Sequence, residues 1–375
     1  MNSPIAADNL TLQRSLVENN PLFHVLEEMH DGVLICDSQK NILWFNASLK
    51  QHLALSKRVI GMACDTVIDN PLLMAQADQV LSSQTSETFE ISLVCQNRLM
   101  IFQVHLAPLR VRAEAGSSPG NGEKLSGFVA LFHDLTAAKK IERMRRDFVA
   151  NVSHELRTPL TAINGFAETL LDGALEDTDN ARSFIDIIYR HSLRLSQLVA
   201  DLLDLSKLES PDFDPELLPL DLRPMIQSVL TMMDKRVQEK ELTVTVDVPD
   251  DAPLVMANAG NIEQVFTNLL DNAVKYTPAG GSVSLRLRHG EHSPYRGKVL
   301  IAIHNTGTGI EAKHIPRLFE RFYRVDKARS RDLGGTGLGL SIVKHIIQYH
   351  GGDIWVESEL NQGTTFFFTL NPTAV

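Results

Sequence analysis

Apolar residues recur along this chain with two periods, and the switch between them divides it. From about Leu22 to Leu135 the apolar runs are short. "GVLICDSQKNILWFN" (32–46) predicts a strand, a polar turn at Asp37 to Asn41 and a second strand, a hairpin pattern. "FEISLVCQNRLMIFQVHLAPL" (89–109) and "SGFVALFHDL" (126–135) supply three more strands. Between them "AEAGSSPGNGEK" (113–124) has no apolar period and reads as a loop. Five strands with helical turns around residues 47 to 82 predict an antiparallel sheet domain, either a small α+β domain with no pocket or a sensor or dimerisation module.

From about Thr136 to Glu209 the period is helical. Phe148, Val152, Leu156, Ile163 and Leu170 form one stripe. Phe184, Ile188, His191, Leu195, Leu198, Leu202 and Leu205 form a second at 4-3-4-3-4-3 spacing, a coiled-coil seam interrupted once by a histidine. "DGALEDTDN" (172–180) separates the two helices, with Gly173 as the stop and Asp179 or Asn180 as the next cap. A two-helix hairpin cannot bury both stripes alone. Pairing with a second copy makes a four-helix bundle, which predicts a homodimer with His191 as a buried register residue.

"ESPDFDPELLPLDLRP" (209–224) reads as a Pro- and Asp-rich linker. The remaining pattern predicts helix 223–240, strand 242–248, helix 260–276, strands 282–289 and 299–304, a helix from about Gly337 to Tyr349 and two closing strands. That order suits an α/β sandwich with helices on one side of a mixed sheet. The expected boundaries are a segment 1–21, a sheet domain 22–135, a helical hairpin 136–210, a linker 211–222 and a catalytic domain 223–375.

Composition narrows the possible functions. The formal charge of −10 argues against an extended nucleic-acid surface. Cys36, Cys64 and Cys95 are far apart and form no CxxC pair, which fits packing in a reducing compartment. No run approaches the roughly 20 apolar residues of a membrane span. The chain as given is expected to be cytoplasmic, with any signal from across a membrane arriving through a membrane-associated partner. An anchor preceding Met1 would make it the soluble part of an inner-membrane protein.

The candidate chemistry sits in three places. In "FVANVSHELRTPL" (148–160), His154 lies roughly 200° from Val152 at about 100° per residue, away from the apolar stripe. Pro159 removes the helix hydrogen bond to the Glu155 carbonyl and predicts a local kink. In "NIEQVFTNLLDNAVKYTP" (261–278), Ile262, Val265, Phe266, Leu269 and Ala273 make a buried stripe. Asn268, Asn272 and Lys275 fall on the other face at i, i+4 and i+7. Two amide oxygens and an ammonium in line suit a magnesium–phosphate group, the alternative being a solvated face. Finally "NTGTGI" (305–310) follows a strand, and "GGTGLGLSIVK" (334–344) opens a helix. There Gly335, Gly337 and Gly339 let backbone N–H groups approach phosphate. Between these two, "RFYRVDKARSRD" carries Arg321, Arg324, Lys327, Arg329 and Arg331, a candidate lid over a polyanion.

"SHELRTPL", "NLLDNAVKY", "NTGTGI", "LFERFY", "GGTGLGLSIVKHI" and "GTTFFF", in that order, resemble the motif series of two-component sensor histidine kinases. The likeness covers nearly everything after Thr136, and the front segment is similar to a PAS sensor domain. "MRRDFVANVSHELRTPLT" with "IPRLFERFYRVDKARSR" most resembles the phosphate-regulon sensor kinases, which would imply phosphate-starvation signalling. The resemblance implies a multidomain α+β protein: a PAS-like sheet domain, a dimeric four-helix-bundle hairpin and an α/β-sandwich ATP-binding domain of the histidine-kinase/Hsp90-like type. It implies that His154 is the phospho-accepting nucleophile, that Glu155 takes or orients a ring proton, and that Thr158 positions water for dephosphorylating the partner.

The resemblance also assigns Asn272 to Mg2+ and Asn268 and Lys275 to the phosphates of ATP. Tyr276 goes to adenine, Gly307 and Gly309 to the base pocket, Gly335, Gly337 and Gly339 to the phosphates, and Leu340 to the nucleotide site. The implied partner is a response-regulator receiver domain. The sequence departs from the pattern at Asn305, where the family usually has aspartate, so a charge-assisted bond to adenine becomes neutral. Two rival functions follow: a kinase-weak nucleotide-binding scaffold or regulator phosphatase, supported by Asn305, and an ATPase or chaperone module, which leaves His154, Glu155 and Thr158 unexplained.

Overall fold

The computed structural model describes residues 21–112, 123–210, 212–289, 295–326 and 335–373. It divides into two compact units, Met1–Asp147 and Phe148–Val375, with the division inside one long helix.

In the first unit, α1 (Pro21–Glu28) precedes the hairpin of β1 (Gly32–Asp37) and β2 (Ile42–Phe45). Asp37 closes the turn between them, its Oδ1 accepting from the Gln39 and Asn41 amides. Helices α2 (Ala47–Leu53), α3 (Cys64–Val67) and α4 (Pro71–Ser83) follow, then β3 (Glu87–Cys95), β4 (Arg98–Arg112) and β5 (Glu123–Asp134). The sheet is antiparallel throughout, in the order β2-β1-β5-β4-β3. Phe102, Phe128 and Phe132 fill its core together with Leu49, Leu73 and Val80 from the helices. Cys36, Cys64 and Cys95 are buried free thiols, so the packing reading of the cysteines stands.

Helix α5 (Thr136–Leu171) runs unbroken through Pro159, which is buried. It ends at Gly173, whose φ of 117° no β-carbon would favour. Helix α6 (Thr178–Leu208) is capped by Asp177, and not by Asp179 or Asn180 as the pattern suggested. Asp177 has the extended backbone a cap requires, and Asn180 supplies the donor. Of the seven seam residues, Leu198 and Leu205 are buried within one chain, while the rest keep partial exposure.

Part of the expected linker is ordered structure. Strand β6 (Leu218–Leu220) pairs with β8 (Val255–Ala257), with Leu220 opposite Val255. A three-residue strand containing proline gives no periodic signal, and its partner lies 35 residues downstream. Helix α7 (Leu222–Glu239), β7 (Thr243–Asp247), α8 (Ala259–Tyr276), β9 (Ser282–His289), β10 (Val299–Asn305), α9 (Gly339–Tyr349), β11 (Ile354–Glu359) and β12 (Gly363–Leu370) complete the domain. Its sheet has the order β11-β12-β10-β9-β7 and is mixed, β7 being parallel to β9. The stripe of Ile262, Val265, Phe266, Leu269 and Ala273 on α8 is buried against Ile301, Ile303 and Phe368 of the sheet and Ile342 and Ile346 of α9. This packing turns the opposite, polar face of α8 outward.

Candidate nucleotide site and phosphoacceptor helix

A cavity of about 860 Å³ opens over that polar face. Its lining includes Asn268, Asn272, Lys275 and Tyr276 of α8, and Asn305 at the end of β10. Gly309, Gly335, Gly337, Gly339 and Leu340 line it from the glycine segments. Sequence positions 268 to 340 thus converge on one volume. Gly307 is not among the lining residues; it lies behind the wall, where a β-carbon would come within 3.1 Å of the Tyr276 carbonyl.

Two glycines are required by geometry. Gly309 has φ +69°, and a β-carbon there would meet the Glu359 carbonyl at 2.1 Å. Gly337 has φ +78° and lies against the Phe322 backbone, to which its carbonyl is bonded by the Phe322 amide at 2.9 Å. Helix α9 begins at Gly339, so Gly335 and Gly337 belong to the loop leading into its positive end.

Several cations gather around the ammonium of Lys275. Burial lowers the Lys275 ammonium below its ordinary pKa; Asp271 opposes this, while Arg324, Arg194 and Arg236 add to it. Those cations crowd around Lys275, and Arg236 and Arg324 line the cavity. Lys240 closes the far end of α8, its Nζ donating to the Val274, Lys275 and Thr277 carbonyls at 2.9–3.0 Å. At the near end Asn258 caps the helix, and its amide donates to Nε2 of buried His350 at 3.1 Å. The side chain of Asn305 is buried and donates through Nδ2 to the Thr306 carbonyl at 3.2 Å. Asn305 therefore keeps its oxygen as an acceptor while its nitrogen is already engaged.

On α5, His154 is exposed, as its angular position required. Glu155 is partly covered, and its Oε2 accepts from Arg194 at 3.0 Å and from Arg324 at 3.5 Å. Thr158 donates back to the His154 carbonyl at 3.2 Å, one turn up the helix. None of the three lines the cavity, but Arg324 does, and it also donates to the Gly335 carbonyl. Arg321 of the same segment pairs with Glu209. Lys327, Arg329 and Arg331 of the expected lid lie outside the described residues.

Two cavity residues come from an element the sequence reading kept separate: Gln197 and Asp201 of α6. Asp201 stands on one helix line with buried Leu198 and Leu205, at spacings of three and four. An acid inside an apolar line was the signal available.

Two family models match the chain. One, described as the His Kinase A (phospho-acceptor) domain, covers residues 144–211. The other, described as the Histidine kinase-, DNA gyrase B-, and HSP90-like ATPase, covers residues 257–374. The chain is 36% identical over 362 residues to the sensor histidine kinase WalK of Bacillus subtilis (strain 168), a match spanning 94% of this chain and 55% of that protein. It is 34% identical over 359 residues to the sensor protein kinase WalK of Staphylococcus aureus, covering 94% of this chain and 81% of that one. The chain thus spans about half the length of the first of these relatives. Among solved structures, histidine kinase ThkA in complex with response regulator protein TrrA shares the fold, with a TM-score of 0.50 at 23% identity over 93% of this chain and 98% of that chain. The Bacillus and Staphylococcus relatives bear the WalK name and lend no weight to the phosphate-regulon likeness.

Proposed function

Because this chain belongs to the two-component sensor histidine kinases, we propose that it autophosphorylates His154 from ATP and passes the phosphoryl group to an aspartate of a response-regulator receiver domain. One observation carries the reading. The line of Asn268, Asn272 and Lys275 is roofed by two glycine segments in a chain that also presents an exposed histidine beside a glutamate.

The donor set fits ATP with Mg2+. Asn272 offers a hard amide oxygen to the ion, and Asn268 and Lys275 offer an amide and an ammonium to phosphate. Among the described residues no cluster of three or more His, Cys, Asp or Glu suits a metal. When bound, Mg2+ supplies charge neutralisation to the polyphosphate. Tyr276 and Asn305 serve the base, Gly307 and Gly309 shape its pocket, and Gly335, Gly337, Gly339 and Leu340 hold the phosphate side.

An imidazole nitrogen of His154 forms the bond to the terminal phosphorus as the bond to the ADP oxygen breaks, and Glu155 accepts the proton left on the ring. Thr158, on the same face, positions water for dephosphorylating the regulator. The front unit serves as a PAS-like sensor. A homodimer is supported by apolar residues left bare on the hairpin, such as Leu193 at 52% and Leu203 at 58% exposure. Among the described residues no helix is long and apolar enough to cross a membrane. Nothing beyond the motif detail supports a phosphate-starvation signal.

Labelled ATP tests the proposal. The expected product is acid-labile, base-stable label on the native chain and none on His154→Ala. Label that persists in the variant would overturn the assignment, and no label on either chain would favour a nucleotide-binding scaffold.

A further inference from the structure

The mechanism above leaves the buried carboxylate of Asp201 unused. Asp201 of α6 is 6% exposed yet lines the same cavity as Asn268 and Asn272. Both of its oxygens are engaged: Oδ1 accepts from Gln197 Nε2 at 2.7 Å, and Oδ2 accepts from the Thr336 hydroxyl at 2.6 Å. Thr336 sits between Gly335 and Gly337, and its Oγ1 in turn accepts from the Leu338 amide at 3.2 Å. The hairpin therefore places a carboxylate on the loop that approaches phosphate. Burial pushes the Asp201 carboxyl up, with the Thr336 and Gln197 hydrogen bonds opposing and nearby Asp204 adding a smaller push.

Other segments of the same domain also bond to the hairpin, and one of them touches the loop. Arg324 ties the Gly335 carbonyl to Glu155, the residue beside His154. Arg321 and His345 meet Glu209, and Gln264 donates to Asp204 at 2.7 Å. A loop that shifts to wrap a polyphosphate must loosen its bond to Asp201, and with it the grip of Arg324 on Glu155.

We propose that Asp201 is a phosphate-sensing latch: it holds the glycine loop against the hairpin, and polyphosphate binding and this docked state exclude one another. The inference rests on reading the cavity as a nucleotide site and adds to it a residue that opposes binding. By reciprocity, whatever the latch takes from nucleotide affinity, nucleotide takes from docking.

The test uses the full chain with ATP, ADP and adenosine in the presence of Mg2+. Asp201→Asn keeps the shape and an oxygen for Thr336 while removing the charge. It is expected to bind ATP and ADP about tenfold tighter, with adenosine unchanged, since adenosine carries no phosphate. Equal affinities for all three would overturn the latch, as would weaker ATP binding, which would make the carboxylate a supporting ligand. A native chain that binds no ATP would overturn the nucleotide reading itself, a different result. A second measurement needs no variant: ATP should raise amide hydrogen exchange along Leu198–Leu205 of the native chain, and adenosine should not. No change with ATP would again sink the proposal.

Discussion

Along α8, the line of Asn268, Asn272 and Lys275 lies under two glycine segments. Along α5, the face that carries His154 lies open to water. Both helices are amphipathic, α8 burying its apolar stripe and α5 covering most of its own only in part, yet only one of them is roofed. The difference suits the roles proposed for the two faces. Groups that hold a polyanion gain from being fixed before it arrives, because the cost of ordering them is met in folding. A nucleophile that serves both a nucleotide and a second protein must stay reachable by two partners in turn, and burial would close it to both. Arg324 joins the two faces, contacting Glu155 on one side and the glycine loop on the other.

The contrast can be broken first at α8. Asn272→Ala removes the proposed Mg2+ ligand from a prebuilt site. Its ATP affinity, measured calorimetrically with Mg2+, should fall about 10- to 100-fold, the worth of one bond to a charged group. His154→Ala should leave that affinity at the native value. Equal affinities in Asn272→Ala and the native chain would mean that the asparagine line is a solvated face.

A smaller effect is expected at the back of the site. Asn305→Asp restores a charged acceptor and should tighten ATP binding about fivefold, near 1 kcal/mol. The gain is limited because the bond from Nδ2 to the Thr306 carbonyl is lost with the amide. Unchanged or weaker binding would show that the internal bond, and not the missing charge, governs this position.

The smallest effect concerns pH. Burial lowers the pKa of His350 below its ordinary 6.5, against the bond to the Ile346 carbonyl. The unfolded chain then binds a proton that the folded one refuses. Stability is complete above about pH 6.5 and falls as pH drops from there toward the depressed value. Protonation also removes the acceptor for the Asn258 amide, so the start of α8 loosens while α5 is untouched. The melting temperature should drop by about 2–4 °C between pH 7 and 5.5, and less so in His350→Gln. His304 and His191, also lowered by burial, leave part of the slope in the variant. A variant with the full native slope would remove His350 from the account.

Much of this molecule can be read from local pattern. The stripe on α8, the seam on α6, the strands of both sheets and the exposure of His154 each depend on a residue and its neighbours within a turn or two, which periodicity reports directly. The polar line on α8 was legible for the same reason. The Asp177 cap lay two or three residues before the expected Asp179 or Asn180, because several residues in "DGALEDTDN" can cap and only the backbone angle chooses among them.

What pattern could not supply is pairing at a distance. Strand β6 exists because β8 meets it, and Asp201 matters because a loop 135 residues later presents Thr336 to it. The covering of the α8 face by residues 305–310 and 335–340 depends in the same way on a sheet bringing strand ends together. The chemical types of the site were thus set by the sequence and its periods. Their meeting in one cavity was decided by tertiary packing, since a contact between distant segments is an energy of the whole fold that no window of neighbours contains.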